Sequence, residues 1–304
     1  MVGYVYDPIF TLHDTGPGHI ERPERVERIN EVAQNFPLVR IPIKKATKEE
    51  LYQIHAPHYV NWVEEAYNHG RTYILNEDTI LSEKSFEVAS YAAGSTMPVI
   101  DAFKEGVIQR AFLNIRPPGH HAEFMTGQGF CIFNNVALMA KYAQKKGYKR
   151  VMIIDFDVHH GNGTQDIFYE DPTVFYFSTH ERNNYPYFTG SEDEIGEGEG
   201  KGFNRNRPYG DGCRDEELLR LYDDLPKDFD FDIVLVSAGY DLMQDEFIST
   251  AQITFDGLRA LVRRILDFAE DKPVAFLLEG GYELNSLAQS VEVTLEELTC
   301  YKCS

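Results

Sequence analysis

Val151-Met152-Ile153-Ile154-Asp155-Phe156-Asp157-Val158-His159-His160-Gly161-Asn162-Gly163 begins as four apolar residues and passes directly into acids, histidines and glycines. A short apolar run with no polar alternation reads as a strand buried on both faces, as in parallel sheets. Five further runs have the same character, at residues 2–6, 111–115, 174–177, 233–237 and 274–278, and most are followed by Gly or Pro. Between them lie segments of helical period at 82–105, 135–146, 215–225 and 254–270, the last opening with Thr254 as a cap. This alternation predicts an α/β fold with a mainly parallel sheet flanked by helices. Residues 181–212, rich in Gly, Glu, Asn and Arg, are expected to form a long surface loop.

The 304 residues contain no internal repeat or linker-like run, so one domain over 1–304 is expected. No apolar stretch is long enough to span a membrane, and the first ten residues lack the basic-then-apolar order of a signal peptide. A cytoplasmic protein is the expectation, and four irregularly spaced cysteines fit a reducing compartment. Cys300 and Cys303 form a lone C-x-x-C that reads as a frayed end. A formal net charge of −20 argues against nucleic acid as a partner, since phosphate binding needs excess Lys and Arg. The same charge suits a cationic substrate, and it serves equally to keep a protein soluble.

Polar clusters follow four of the apolar runs. Residues 111–115 lead into Arg116 to His121, 151–154 into Asp155 to Gly163, 233–237 into Gly239 to Asp241, and 274–278 into Glu279 to Tyr282. Ligands bind outside the carboxyl ends of parallel strands, so the four clusters should gather at one edge. Asp157 and His159, one residue apart in an extended stretch, would project to the same side and grip one cation. Asp241 would complete a three-ligand site with a position left open for water and substrate. His120, His121 and Tyr282 are then candidates to polarise a carbonyl and accept a proton. Any one of these residues could be a loop hydrogen bond or a helix cap; four such clusters at four strand ends are not explained that way.

With these residues in hand, the chain resembles the zinc-dependent histone deacetylases and their prokaryotic relatives, including acetylpolyamine amidohydrolases and acetoin-utilisation proteins, in a class II-like form. The likeness runs from Tyr6-Asp7-Pro8 and His19 to Arg25 through Arg116 to His121, Gly129-Phe130-Cys131, Asp155 to Gly163 and Asp241 to Glu279-Tyr282. It implies the arginase/deacetylase-type sheet and one zinc ion on Asp157, His159 and Asp241. It implies His121, oriented by Asn162, as general base and acid, His120 oriented by Asp155 as a charged partner, and Tyr282 as donor to the substrate oxyanion. A potassium ion on backbone carbonyls of Asp155, Asp157 and His159 with Ser178 is implied as well, and a second monovalent site at Phe168, Asp171, Val174 and Phe203. Arginases fit less well, because their second metal would need Asp where this chain has Gly161.

Gly280, with Gly119, Gly161, Gly163 and Gly281, reads as a turn residue that also lets substrate approach the backbone. The resemblance further implies a narrow tunnel for an acylated amine, with Gly129 and Phe130 on one wall and the opposite wall drawn from residues 185–188, preferentially Tyr187. Asp78 stands where family members grip the substrate backbone, and reads equally as an exposed loop acid. Polyamine-selective members carry Glu seven residues after the last zinc Asp; Ile248 stands there, which favours acyl-lysine unless Asp245, Glu246 or the acidic residues 192–199 swing over the mouth. The competing readings are a deacetylase of small acetylated amines and a module that binds acyl-lysine without hydrolysing it. The second would have lost a ligand or the tyrosine, and neither is lost. Acyl length, oligomeric state and zinc against iron(II) are left open by these residues.

Overall fold

Buried apolar strands must pair with one another to satisfy their backbone groups. The computed structural model describes residues 1–67, 73–75 and 78–301 and contains ten strands there. They are β1 (Val2–Val5), β2 (Val39–Arg40), β3 (Tyr73–Leu75), β4 (Thr79–Leu81), β5 (Arg110–Leu113), β6 (Val151–Asp155), β7 (Val174–Glu181), β8 (Asn204–Tyr209), β9 (Ile233–Ala238) and β10 (Val274–Leu278). Eight form one all-parallel sheet in the order β2-β1-β5-β10-β9-β6-β7-β8, and β3 and β4 make a separate antiparallel pair. The expected α/β class is observed.

The strand order decides where the site lies. The four strands that end in polar clusters, β5, β10, β9 and β6, are contiguous in the middle of the sheet. Their registers are close, with Ala238 opposite Leu278 and Asp155 opposite Ser237. Every residue of β6, β9 and β10 is buried, including Asp155 at the last position of β6, and the polar clusters follow at the carboxyl ends of these strands.

Helices cover both faces, and most follow the sequence reading closely. The helix Phe255–Ala269 is capped by Thr254, whose hydroxyl accepts the Gly257 N–H. The single helix expected over 82–105 is two, Ser85–Gly94 and Thr96–Lys104. Pro98 has no N–H to return to the Gly94 carbonyl, so the helix cannot run through. The loop expected over 181–212 also needs correction, because β7 extends to Glu181 and β8 lies within it as an edge strand. The inward residues of β8 include Asn204 and Asn206, both of which donate to Gln165 Oε1. A strand that buries asparagines does not carry the apolar alternation that would reveal it. The final helix, Leu284–Cys300, runs to Cys300, which is exposed; Cys303 lies outside the described residues.

Candidate active site at the central strand ends

Past the end of β6 the chain bends instead of continuing extended as expected for Asp157 and His159. The Asp157 carboxylate itself makes the bend, since Oδ1 accepts the His159 N–H at 2.9 Å. Its Oδ2 accepts the Gly280 N–H at 2.8 Å and so ties the end of β6 to the end of β10. From the end of β9, Asp241 accepts the Val158 N–H through Oδ1 at 3.1 Å. His159 Nδ1 then lies 3.1 Å from both Asp157 Oδ1 and Asp241 Oδ2. Asp241 Oδ2 is buried without an aligned hydrogen bond, so the approach of His159 does not satisfy it.

This donor set fits a divalent cation. One ligand atom from each of Asp157, His159 and Asp241 lies within 4.8 Å of the others. The two buried carboxylates draw positive charge to the point that His159 faces. In the polypeptide alone that charge is a proton: burial opposes it, but Asp157 and Asp241 prevail and raise the imidazole to about 10. An imidazole and two carboxylates with an open side are a catalytic zinc-type donor set.

The histidine pair follows β5. His120 Nδ1 donates to Asp155 Oδ2 at 3.1 Å, and Asp155 also accepts the Tyr176 hydroxyl at 3.0 Å. Burial works against a charged His120, yet the surrounding Asp157, Asp155 and Glu279 raise it to about 10. His121 Nδ1 meets Asn162 Oδ1 at 2.8 Å. Burial, then the charges of His120 and His159, push His121 well below its ordinary value. Two adjacent imidazoles are thus driven in opposite directions, His120 to hold a proton as a fixed positive charge and His121 to lack one, as a base requires.

A cavity of about 210 Å³ opens beside these groups. His121, His159 and Tyr282 line its inner part, and Phe130, Tyr185 and Ile248 its walls. The Phe130 and Tyr282 rings meet edge to face at 6.0 Å. The wall assigned to Tyr187 is a correction. Tyr185 packs edge-on against His121 at 5.0 Å, while Tyr187 is 65% exposed and stands outside. Tyr187, at φ 68°, meets Tyr185 edge to face at 6.2 Å and does not line the cavity. Asp78 is at the mouth and half-buried; its Oδ1 accepts the Gly129 N–H at 3.0 Å, and Thr79 Oγ1 accepts that of Phe130 at 3.0 Å. These two bonds hold Gly129 and Phe130 at positive φ, 54° and 68°.

Three further residues complete the frame: Arg25 and Glu279, which the sequence reading gave no role, and Glu246, which it placed as an acid free to swing over the mouth. Buried Arg25 donates to the carbonyls of Gly281 and Glu279 at 2.6 and 2.5 Å and lies 4.8 Å over the Tyr282 ring. Buried Glu279 accepts the N–H groups of Gly119 and His120 at 2.7 and 3.1 Å. Glu246 turns inward to the N–H of Tyr282. Among the residues read as monovalent-ion sites, the Ser178 hydroxyl hydrogen-bonds His180 Nδ1 at 2.8 Å. The carbonyls of Phe168, Asp171 and Phe203 accept the N–H groups of Asp171, Val174 and Tyr176, and Val174 opens β7 beside them. A second cavity of about 230 Å³ lies beneath the 181–194 segment, but its His160 and His180 are both tied to neighbours.

Comparison with known proteins gives one answer. The profile described as "Histone deacetylase domain" matches residues 19–298. Histone deacetylase 5 of Arabidopsis thaliana is 35% identical over 97% of this chain and 49% of its own length. Polyamine deacetylase HDAC10 of Homo sapiens is 37% identical over 94% of this chain and 46% of its own. A probable deacetylase of Archaeoglobus fulgidus is 34% identical, covering 93% and 82% respectively. The chain thus spans about half the length of the first two relatives. The crystal structure of the HDA15 HD domain superposes with a TM-score of 0.93 at 31% identity, over 100% of this chain and 89% of that one.

Proposed function

Because this chain belongs to the histone deacetylase family, we propose that it hydrolyses the amide of acylated lysine side chains with one divalent metal ion, zinc by its donor set. The observation that carries this reading is the convergence of Asp157, His159 and Asp241, with His159 lining one cavity together with His121 and Tyr282. A metal held by those three residues would supply Lewis acidity, polarising the scissile carbonyl and acidifying a water.

The protein groups do the rest. His121 is held through Nδ1 by Asn162, which leaves Nε2 to take a proton from water and return it to the departing amine. His120 keeps its proton against Asp155 and adds positive charge beside the developing oxyanion. Tyr282 donates its hydroxyl proton to that oxyanion in a hydrogen bond and is held for the purpose by Arg25 and Glu246. Phe130 and Tyr185 enclose the neutral aliphatic arm of the substrate and exclude water. Replacing Tyr282 by Phe should lower kcat by about 100- to 1000-fold with metal content unchanged; wild-type rates would remove it from the mechanism.

The choice of lysine over polyamine rests on the mouth. A polyamine brings an ammonium that needs an uncommitted carboxylate there; Ile248 lines the cavity, and the Asp78 carboxylate at its mouth already accepts from the Gly129 N–H and the Thr79 hydroxyl. Glu246 is spent on Tyr282 and Glu283, and Glu194 on Gln165, Gly190 and Ser191. Asp245 remains exposed and does not line the cavity. Side-by-side kcat/KM for an acetyl-lysine peptide and N8-acetylspermidine decides the matter. Preference for the peptide is expected, and about a tenfold preference for the polyamine, or 1.4 kcal/mol, would reverse the substrate assignment.

A further inference from the structure

We propose that Glu123 is a positioning residue, the outer carboxylate of a His121–Asn162–Glu123 relay that fixes the Asn162 amide and thereby the proton on His121 Nδ1. This rests on the reading of His121 as the base.

The geometry is a continuous chain of side-chain contacts. Asn162 Oδ1 is 2.8 Å from His121 Nδ1, and Asn162 Nδ2 donates to Glu123 Oε1 at 2.7 Å. The backbone sets it up: Asn162 begins the helix Asn162–Phe168, and the Thr164 N–H of that helix bonds the His120 carbonyl at 3.1 Å. Any side chain at Gly163 would overlap the Ala122 carbonyl, so the helix packs directly on the 121–122 backbone. This places Asn162 across both His121 and Glu123.

An asparagine amide has two ends, and an imidazole can meet either of them, offering an N–H to the oxygen or a lone pair to the NH₂. His121 and Asn162 alone therefore do not determine which tautomer is present. An ionised carboxylate only accepts, so Glu123 demands the NH₂ end of Asn162. The oxygen end must then face His121, and Nδ1 must carry the hydrogen. Nε2 is left with its lone pair, as a base requires. The same arrangement places a carboxylate behind a neutral asparagine, so the imidazolium formed in the reaction has an anion two hydrogen bonds away. Glu123 is half-buried, and Gln128, itself bonded to Tyr185, offers it a second amide, so the relay is held from outside as well.

The test compares wild type, Glu123→Gln, Glu123→Ala, Asn162→Asp and the double variant Glu123→Gln/Asn162→Asp as full, metal-loaded chains, with ¹⁵N-histidine NMR beside acetyl-lysine turnover. Glu123→Ala should lower kcat by about 10- to 30-fold, a part of what general base catalysis supplies, with KM, metal content and Tm nearly unchanged. Asn162→Asp alone sets two carboxylates against each other and should lose activity. In the double variant the introduced amide donates to the introduced carboxylate, and kcat should return to within about threefold of wild type, a strongly non-additive result. The His121 nitrogen signals should show Nδ1 protonated in wild type and a tautomer mixture in Glu123→Ala. Unchanged kcat and unchanged tautomer in Glu123→Ala, or single losses that merely multiply in the double variant, would overturn the relay. If wild type itself fails to turn over acetyl-lysine while the tautomer shift is still seen, the substrate reading fails and the relay stands.

Discussion

The carboxylate of Glu246 accepts the backbone N–H of Tyr282 at 2.6 Å and that of Glu283 at 3.0 Å, while Arg25 stacks on the Tyr282 ring at 4.8 Å. Tyr282 is thus fixed through its backbone by a carboxyl that burial and then Asp241 push up to about 7, and through its ring by the Arg25 cation. Each such hydrogen bond contributes about 0.5–1.5 kcal/mol to a neutral carboxyl and about 1.5–3 kcal/mol to the ionised one, enough to decide where a short loop sits. Glu246→Ala should therefore lower kcat by roughly tenfold while leaving metal content intact. Steady-state kinetics with metal analysis checks this, and an unchanged kcat would show that Tyr282 is positioned without Glu246.

Two glycines separate metal binding from proton transfer. A methyl at Gly280 would fall among the carboxylate oxygens of Asp241 and Asp157, whereas one at Gly129 would overlap the His121 imidazole. Gly129 also has φ 54°, which costs a side chain about 1 kcal/mol or more. Gly280→Ala is expected to lose the metal, and Gly129→Ala to keep it and lose turnover. Metal analysis of the two purified variants tests the contrast.

Buried Glu21 accepts from Arg25 at 3.1 Å and from Arg116 at 2.6 Å, and so supports the residue that holds Tyr282. Burial alone would raise its carboxyl, but the two guanidiniums overcome that and hold it at about 2. A depressed carboxylate stabilises the fold above its unfolded value, and that contribution is lost as pH falls through the folded value. Glu21→Gln should cost on the order of 3 kcal/mol at neutral pH. The gap between wild type and variant should be constant above about pH 5, shrink below about 4.5 and close near 2. Denaturant unfolding at a series of pH values measures it; a gap independent of pH would mean that Glu21 acts by packing rather than by charge.

How much of this could be read from the sequence follows from where the information is local. Asp157, His159, Asp241, His120 and His121 were legible because each ends an apolar run, and parallel strands bring such ends together. Tyr185 was not: Tyr185 and Tyr187 are the same residue type two positions apart, and only the turn between them leaves Tyr185 against His121 and Tyr187 65% exposed. Arg25, Glu246 and Glu123 act through partners far away in sequence or through backbone N–H groups, which no residue pattern displays. β8 escaped because its inward asparagines are satisfied by Gln165 instead of by apolar packing.

If a single divalent ion on Asp157, His159 and Asp241 serves lysine deacetylation, acetyl-lysine peptide turnover should follow the metal as it is stripped and restored. The chelated protein, verified free of metal and still folded, should lose essentially all activity and regain it as one equivalent of zinc per chain is added, with saturation at that ratio. Asp241→Ala should bind no ion and stay inactive throughout. Full-rate hydrolysis by the verified metal-free protein, or full restored activity in Asp241→Ala, would show that hydrolysis does not depend on an ion at these three residues.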